Sequence, residues 1–291
     1  MPKFTDQQYL KTDQYRDSSN LDARVTLHKR FSANPYGWMN WVFDRLLRLP
    51  EDAKILELGC GPSYLWQENI SRIPAGWSIT LSDLSPGMLD AAWRNVVVTG
   101  RTFQFREIDA QSIPFEDETF DAVIANHMLY HVPDRAKAFS EIRRVLKPKG
   151  HLFATTIGEN HLKQISNWIR RINPETDFVS FGSPFTLDNG FEQLKHFFSQ
   201  VALARYADSL QVTEVKPILA FIRSTIHAPE ILEDAMIKLE NELEQELREK
   251  GKIFISKDSG LFERIKYYFV IARVTLKASR RSNRIETLAD S

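Results

Sequence analysis

The chain has 291 residues, 43% of them hydrophobic, enough to bury one large core or one core with a modest second lobe. Lysine plus arginine and aspartate plus glutamate are equal at 38 each and the pI is near 7.1, which argues against a broad nucleic-acid footprint. A lone cysteine, Cys60, excludes an internal disulfide and a cysteine metal cluster, and with no signal-peptide core and no membrane-length apolar run, a cytoplasmic protein is expected.

Residues 1–33 are polar and mixed in charge, with Tyr9, Tyr15, Arg16, Arg24 and His28 scattered through them, and read as an extension packed onto something else. Asn34-Pro35 is a start signal, after which Trp38, Trp41, Val42, Arg45, Leu46 and Leu49 recur at helical spacing until Pro50. The stretch Lys54-Ile-Leu-Glu-Leu-Gly-Cys-Gly-Pro-Ser63 then runs as a buried parallel strand into a glycine turn. Gly59 and Gly61 would let a ligand sit directly against main-chain N–H groups, or would simply allow tight strand-turn-helix packing. The dinucleotide fingerprint needs another glycine at position 64, where this chain has Tyr64.

Tyr64 to Ile73 reads as a crossover helix, and Ser63 as its hydroxyl cap. Ser78 to Asp83 is a second strand ending in an acid that can accept hydrogen bonds from both hydroxyls of a ribose, with Ser85-Pro86 starting the next helix. A third strand, Phe103 to Ile108, ends in Asp109-Ala110. Asp121 to Asn126 is the fourth, followed by His127-Met-Leu-Tyr-His131 and a helix carrying Ala138, Phe139, Ile142 and Val145 on one face; His151 to Ile157 is the fifth. This alternation predicts an α/β fold with a doubly wound, mostly parallel sheet.

The E-x-G-x-G run from Glu57 resembles motif I of the class I S-adenosylmethionine (SAM) dependent methyltransferases, and the order of glycine turn, Asp83, Asp109 and the Ser112–Phe120 loop is similar to their small-molecule, type 11-like branch. Family members carry a glycine where this chain has Ser63. The resemblance covers residues 54–157. It implies a seven-stranded Rossmann-like sheet with an antiparallel edge strand and a helical lid. It also implies a SAM site built from Glu57, Gly59, Cys60, Gly61, Asp83, Leu84, Met88, Asp109, Ala110 and Asn126. Asp109 would receive the adenine amine, Leu84 and Met88 would flank the ring, and the N-terminal segment would fold over the cofactor, with Tyr15, Arg24 and His28 as candidate contacts.

Beyond residue 158, Asn160 to Ile172 reads as a helix, and a loop carrying Phe178, Phe181 and Phe185 leads to a second helix that Thr186 or Asp188 can cap. This phenylalanine-rich insertion is either a substrate lid or an extra layer of core. Val201 to Tyr206 is the sixth strand, Glu230 to Lys250 a long amphipathic helix with eight acids and three bases, and Lys252 to Ser256 the final, antiparallel strand. From Arg264 to Arg284 seven Lys or Arg stand without an acid. The expected organisation is an N-terminal extension (1–50), a SAM-binding core (51–158), an inserted lid (159–200), the rest of the sheet with the long helix (201–262) and a basic tail (263–291).

A sulfonium methyl is already activated, so the protein must hold a nucleophile in line and exclude water, with one base where the acceptor carries a proton. His131 and His127, both just past strand four, are the candidate bases, with Tyr130 and Tyr206 behind them. No metal site is expected, since no zinc ligand set appears in the sequence. Neither the nucleophilic cysteine of cytosine C5 methyltransferases nor the Pro-Pro-aromatic signature of DNA amino-methyltransferases is present. The expected activity is SAM-dependent methylation of a small molecule, releasing S-adenosylhomocysteine (SAH). One rival is an RNA or protein methyltransferase using the basic tail; another is a protein that keeps SAM for a cyclisation or as a binding module. The basic tail otherwise reads as a C-terminal helix that either docks on the rest of the chain or joins two copies in a homodimer.

Overall fold

Strands arise where apolar runs are covered on both sides, and helices where one stripe is apolar. The computed structural model describes residues 3–172, 174, 184–226 and 231–264. Phe178, Phe181 and the basic stretch beyond Arg264 lie outside the described residues.

The N-terminal segment is built of short helices and turns. Asp6 caps a short helix, α1 (Gln7–Tyr9), by accepting the Gln8 and Tyr9 N–H groups at 3.0 and 3.1 Å, and a π-type turn over Leu10–Gln14 follows. Next come α2 (Ser19–Phe31) and α3 (Trp38–Leu46). Helix α2 has only Leu27 and Phe31 fully inside, too sparse a pattern to stand out by periodicity. Helix α3 buries Val42, Phe43 and Leu46 on the sheet, and truncating Phe43 to alanine would cost about 3–5 kcal/mol.

The core continues with β1 (Lys54–Leu58), α4 (Tyr64–Glu68), β2 (Ser78–Asp83), α5 (Pro86–Val97), β3 (Gln104–Glu107), β4 (Phe120–Asn126), α6 (Arg135–Val145) and β5 (Leu146–Ile157). The crossover helix is shorter than expected: α4 stops at Glu68, and a 3-10 turn over Ile70–Arg72 completes the connection. Beyond β5 the chain forms α7 (Lys163–Ile172), α8 (Gly190–Leu194), β6 (Val201–Tyr206), β7 (Ser209–Val212), α9 (Val215–Arg223), α10 (Glu233–Lys250), β8 (Ile253–Ser256) and β9 (Ser259–Arg264).

Seven strands form one sheet in the order β3-β2-β1-β4-β5-β9-β6, parallel except for β9, which pairs antiparallel with both β5 and β6. The antiparallel strand is therefore Ser259–Arg264, set just inside the edge. Residues 253–256 instead pair with β7 in a separate two-stranded sheet, a correction to the expected Lys252–Ser256 strand. Buried Ser259, Leu261 and Phe262 favour the large sheet, whereas in β8 the exposed Phe254 alternates with buried Ile253 and Ile255, a pattern suited to a sheet covered on one face.

On one face of the sheet Phe43, Ile55, Trp66, Ile79 and Phe153 share a core; on the other Leu56, Val123, Phe139, Phe185 and Phe262 do. Phe185 is fully buried there, so at this position the phenylalanine-rich insertion is core. A third core joins Leu27 of α2, Ile169 of α7, Val212 of β7, Ile218 of α9, Leu239 of α10 and Ile255 of β8. Segments far apart in the chain thus make one helical lobe. Strand order reverses between β1 and β4, which opens a crevice at the strands' carboxyl ends.

Candidate functional site

The crevice begins at the glycine turn. Gly59 has φ +64°, and a Cβ there would come within 2.7 Å of Met128 Cβ, so side-chain-free backbone is required. Ser63 sits at φ 62°, ψ 34°, left-handed, and makes no cap hydrogen bond; its buried hydroxyl has no partner. The expected cap is thus corrected: Ser63 occupies a glycine conformation and carries that strain.

Asp83 clasps the turn from the end of β2. Its carboxylate accepts the Gly61 N–H and the Ser85 N–H, each at 2.9 Å, and burial pushes its pKa up to about 6. Leu84 and Met88 stand just beyond, at the start of α5. Asp109, past β3, accepts Gln7 Nε2 at 3.0 Å and the Gln111 N–H at 2.9 Å; burial raises its pKa, but these hydrogen bonds outweigh it and hold the carboxyl below its ordinary value. Ala110 follows, buried. Gly59, Cys60, Gly61, Asp83, Asp109, Ala110 and Asn126 thus lie at the ends of four successive strands in the sheet, β1 to β4.

Glu57 is an exception. It is 1% exposed and accepts Trp66 Nε1 at 2.5 Å, with its pKa pushed up to about 8 by burial. Its side chain shares a face of β1 with Ile55, and Asp83 lies near enough to raise its pKa further. Asn126 Oδ1 accepts the Thr155 hydroxyl, which ties the ends of β4 and β5 together.

The N-terminal segment crosses this rim. Lys11 pairs with Glu107, Ser85 Oγ donates to the Tyr15 carbonyl at 2.6 Å, and the start of α5 comes so close that a Cβ on Gly87 would overlap the Arg16 carbonyl oxygen, 1.8 Å away. His131 meets the segment with both ring nitrogens. Nδ1 lies 2.8 Å from the Phe4 carbonyl oxygen, which can only accept, so Nδ1 carries the proton; Nε2 then accepts the Tyr15 hydroxyl at 2.9 Å. Arg24 Nη1 donates to the same hydroxyl at 3.4 Å and Arg24 Nε to Ser224 Oγ at 3.1 Å. Burial above all holds His131 neutral, with its pKa down to about 4. The basic nitrogen of His131, the candidate base, thus faces the Tyr15 hydroxyl. Tyr130 is also buried and packs its ring edge-on to His131.

His127 turns the other way. It has φ 54°, donates its backbone N–H to Thr155 Oγ1 at 2.9 Å, and packs its ring 5.1 Å from that of Trp38. Burial, then the Lys257 charge, lowers its pKa to about 4. Sequence reasoning missed Gln7 and Gln111 around Asp109 and Phe4 beside His131. Only α1, with its Asp6 cap, offered a local signal for Gln7.

The bare main chain at Gly59 and Gly61, with Asp83 and Asp109 as acceptors one strand apart, fits the hydroxyls and amine of an adenosyl group. The comparisons agree with this geometry. Residues 56–154 match the family described as a methyltransferase domain. The ubiquinone biosynthesis O-methyltransferase of Pseudomonas entomophila is 31% identical over 123 residues, 42% of this chain and 51% of that protein, so the chain spans about half the length of the curated relatives it matches. Among solved structures, Haemonchus contortus phosphoethanolamine N-methyltransferase 2, in complex with S-adenosyl-L-methionine, aligns over 91% of this chain and 60% of its own with TM-score 0.55 and 22% identity. The [4+2]-cyclase SpnF aligns over 89% of this chain and 96% of its own with TM-score 0.56 and 18% identity. At those identities the two structures attest the shared fold.

Proposed function

We propose that this chain, whose core is a class I SAM-dependent methyltransferase domain, moves a methyl group from SAM to a small-molecule acceptor and releases SAH. The observation that carries the reading is Asp83: an acid ending the second strand and clasping the glycine turn, inside the stretch that matches the methyltransferase domain family.

When bound, SAM supplies an electrophilic methyl on its sulfonium. The Asp83 carboxylate would hold the ribose hydroxyls, Asp109 and the Ala110 N–H the adenine edge, and the Gly59–Gly61 backbone the amino-acid end. Leu84 and Met88 would flank the base, and Asn126, tied to Thr155, would fix the end of β4 beside the methyl. The N-terminal segment, through Gln7, Tyr15 and Arg24, would cover the cofactor and exclude water.

An acceptor hydroxyl must lose its proton as the new bond forms. Tyr15 Oη would take that proton while passing its own to His131 Nε2, and the Phe4 carbonyl would steady the resulting imidazolium through Nδ1–H. Oxygen is the favoured acceptor atom on this reading, in keeping with the O-methyltransferases that the core resembles. His127 is assigned to the acceptor side instead of to proton transfer.

Among the described residues no helix is long and apolar enough to cross a membrane. Self-association through the basic C-terminal stretch concerns residues outside the described ones; sedimentation of the full chain tests it. The same stretch is where an RNA or protein substrate would dock in the rival reading.

The test is SAH formation from purified protein, SAM and a panel of hydroxyl acceptors, followed by mass spectrometry. A rise of 14 mass units in an acceptor with stoichiometric SAH is the expected result. An acceptor rearranged without SAH release would replace this reading with the cyclase-like one that the SpnF fold makes concrete.

A further inference from the structure

A second cluster lies one turn along α2 from Arg24, on the same carboxyl rim. His28 of α2, Trp38 at the start of α3, His127 just past β4, His161 ahead of α7, Tyr206 ending β6 and Lys257 between β8 and β9 come together there from six different segments. Trp38 is the hub, its ring 5.1 Å from that of His127, 5.4 Å from Tyr206 and stacked at 5.2 Å on Trp41. His28 lies 5.8 Å from His161.

Three polar atoms of this cluster are buried without a hydrogen-bond partner: His28 Nδ1, Trp38 Nε1 and Tyr206 Oη. Tyr206 is only 3% exposed; the Gly37 backbone lies near enough to favour its ionisation, yet forms no hydrogen bond of normal geometry with the hydroxyl. Orphaned polar atoms are costly, and three in one place mark a surface shaped for something else. Their chemistry is biased toward donation. The indole N–H can only donate, and the phenol O–H is free to.

Charge points the same way. Lys257 pairs with Asp208, the two side chains being 7% and 0% exposed, and its ammonium lies 5.7 Å from the centre of the Tyr206 ring. Asp208 is fully used: it also accepts Ser32 Oγ at 2.6 Å, the Asn34 N–H at 3.0 Å and the Ser209 N–H at 2.7 Å. Burial and then neighbouring positive charge, Lys257 included, keep His28, His127 and His161 neutral. Among the described residues no set of three or more His, Cys, Asp or Glu side chains is arranged to hold a metal ion. What the cluster lacks is an acceptor-rich, negatively charged group with a flat body to lie among its rings.

We propose that this cluster is the recognition site for an oxyanion, carboxylate or phosphate, carried by an aromatic methyl acceptor. Trp38 Nε1–H, Tyr206 Oη–H and Lys257 would donate to the oxyanion while Trp38, His127 and Tyr206 flank the ring. The inference rests on the methyltransferase reading, since it names the substrate class of that site.

Calorimetry on the full chain saturated with SAH tests it, with benzoate, phenyl phosphate and neutral benzyl alcohol as probes. At least one anion should bind about tenfold or more tightly than benzyl alcohol, the worth of one hydrogen bond to a charged group; the ratio of the two anions tells carboxylate from phosphate. Tyr206→Phe should raise the thermal midpoint of the free protein, by removing a buried unpaired hydroxyl, and weaken the anion about tenfold. A hydroxyl with no part in recognition would leave the anion affinity unchanged, whatever the midpoint did, and that result too would overturn the subsite. Lys257→Met should erase the preference for the anion. Equal binding of benzyl alcohol, no binding of any probe to SAH-loaded protein, or a lowered midpoint with unchanged anion affinity in Tyr206→Phe would each overturn the subsite. Failure of SAH itself to bind would instead overturn the cofactor reading, and the same probes titrated without SAH would still report on the cluster.

Discussion

Replacing Asp83 by asparagine isolates the charge on which the cofactor reading depends. The carboxylate accepts two backbone N–H groups, from Gly61 and Ser85, and keeps lone pairs for two ribose hydroxyls. Hydrogen bonds to a charged acceptor are roughly twice as strong as neutral ones, so losing the charge costs about 1 kcal/mol at each hydroxyl. The amide must also turn its NH2 toward one of the two backbone donors, a further loss of about 1 kcal/mol. That second loss is felt with and without ligand and lowers stability, so the roughly 2 kcal/mol at the two hydroxyls is what weakens SAH, about 30-fold. Because burial raises the Asp83 pKa to about 6, the free protein must spend free energy deprotonating it below that pH. The gap between the native protein and Asp83→Asn should therefore be fully open at pH 8 and narrow by pH 5. Calorimetry with SAH at both values reads this directly, with circular dichroism to check the fold. Affinities within threefold of each other at pH 8 would refute the assignment of Asp83 to the ribose.

Ser63→Gly should stabilise the protein by about 1–2 kcal/mol, because it removes the left-handed strain and the unpartnered hydroxyl for a smaller glycine entropy cost; a lower denaturation midpoint would contradict this. Tyr15→Phe and His131→Gln should each lower kcat on a hydroxyl acceptor about 10²- to 10⁴-fold while SAH affinity changes little, as stopped time courses and calorimetry would show. Gly59→Ala should cost about 2–4 kcal/mol in urea denaturation, since the Cβ meets Met128 at 2.7 Å and φ is positive. Stability should fall on acidification below pH 6.5: His28, His127 and His131 have folded pKa values near 3, 4 and 4 against an ordinary 6.5, so their contribution is complete above 6.5 and lost as pH drops toward those values. Glu57 and Asp83, raised to about 8 and 6, act oppositely, their contribution being lost as pH rises through those values, so the thermal midpoint should peak near neutrality.

Much of the sheet could be read from the chain because β1, β2 and β4 are nearly unbroken apolar runs, β1 running into Gly59 and β2 ending in Asp83. Asp109 was placed by its spacing alone, since β3 before it is short and mostly exposed. Local pattern failed where distant segments decide. Glu57 looked like a ligand of the turn, but Trp66, nine positions later, claims its carboxylate. Residues 253–256 and 259–264 are equally strand-like, and only their partners, β7 for one and β5 with β6 for the other, tell them apart. The sequence offered His131 as a candidate base, but its hydrogen-bond partners, the Phe4 carbonyl and the Tyr15 hydroxyl, lie more than a hundred positions away. Helix α2 escaped notice because its inner face carries Arg24 and His28 beside Leu27, a mixture that serves the rim but interrupts any apolar stripe.

The Gln7–Asp109 and Tyr15–His131 contacts carry a consequence for turnover. A reactant the size of SAM, if covered by those first twenty residues, enters and leaves only when the contacts of Phe4, Gln7, Lys11 and Tyr15 let go together. Each is worth about a kilocalorie or two, so opening is a concerted step whose cost slows the exchange of spent for fresh donor. An affinity tag fused ahead of Lys3 would load that shutter directly, and preparations tagged there should release SAH faster than untagged protein while methylating more slowly.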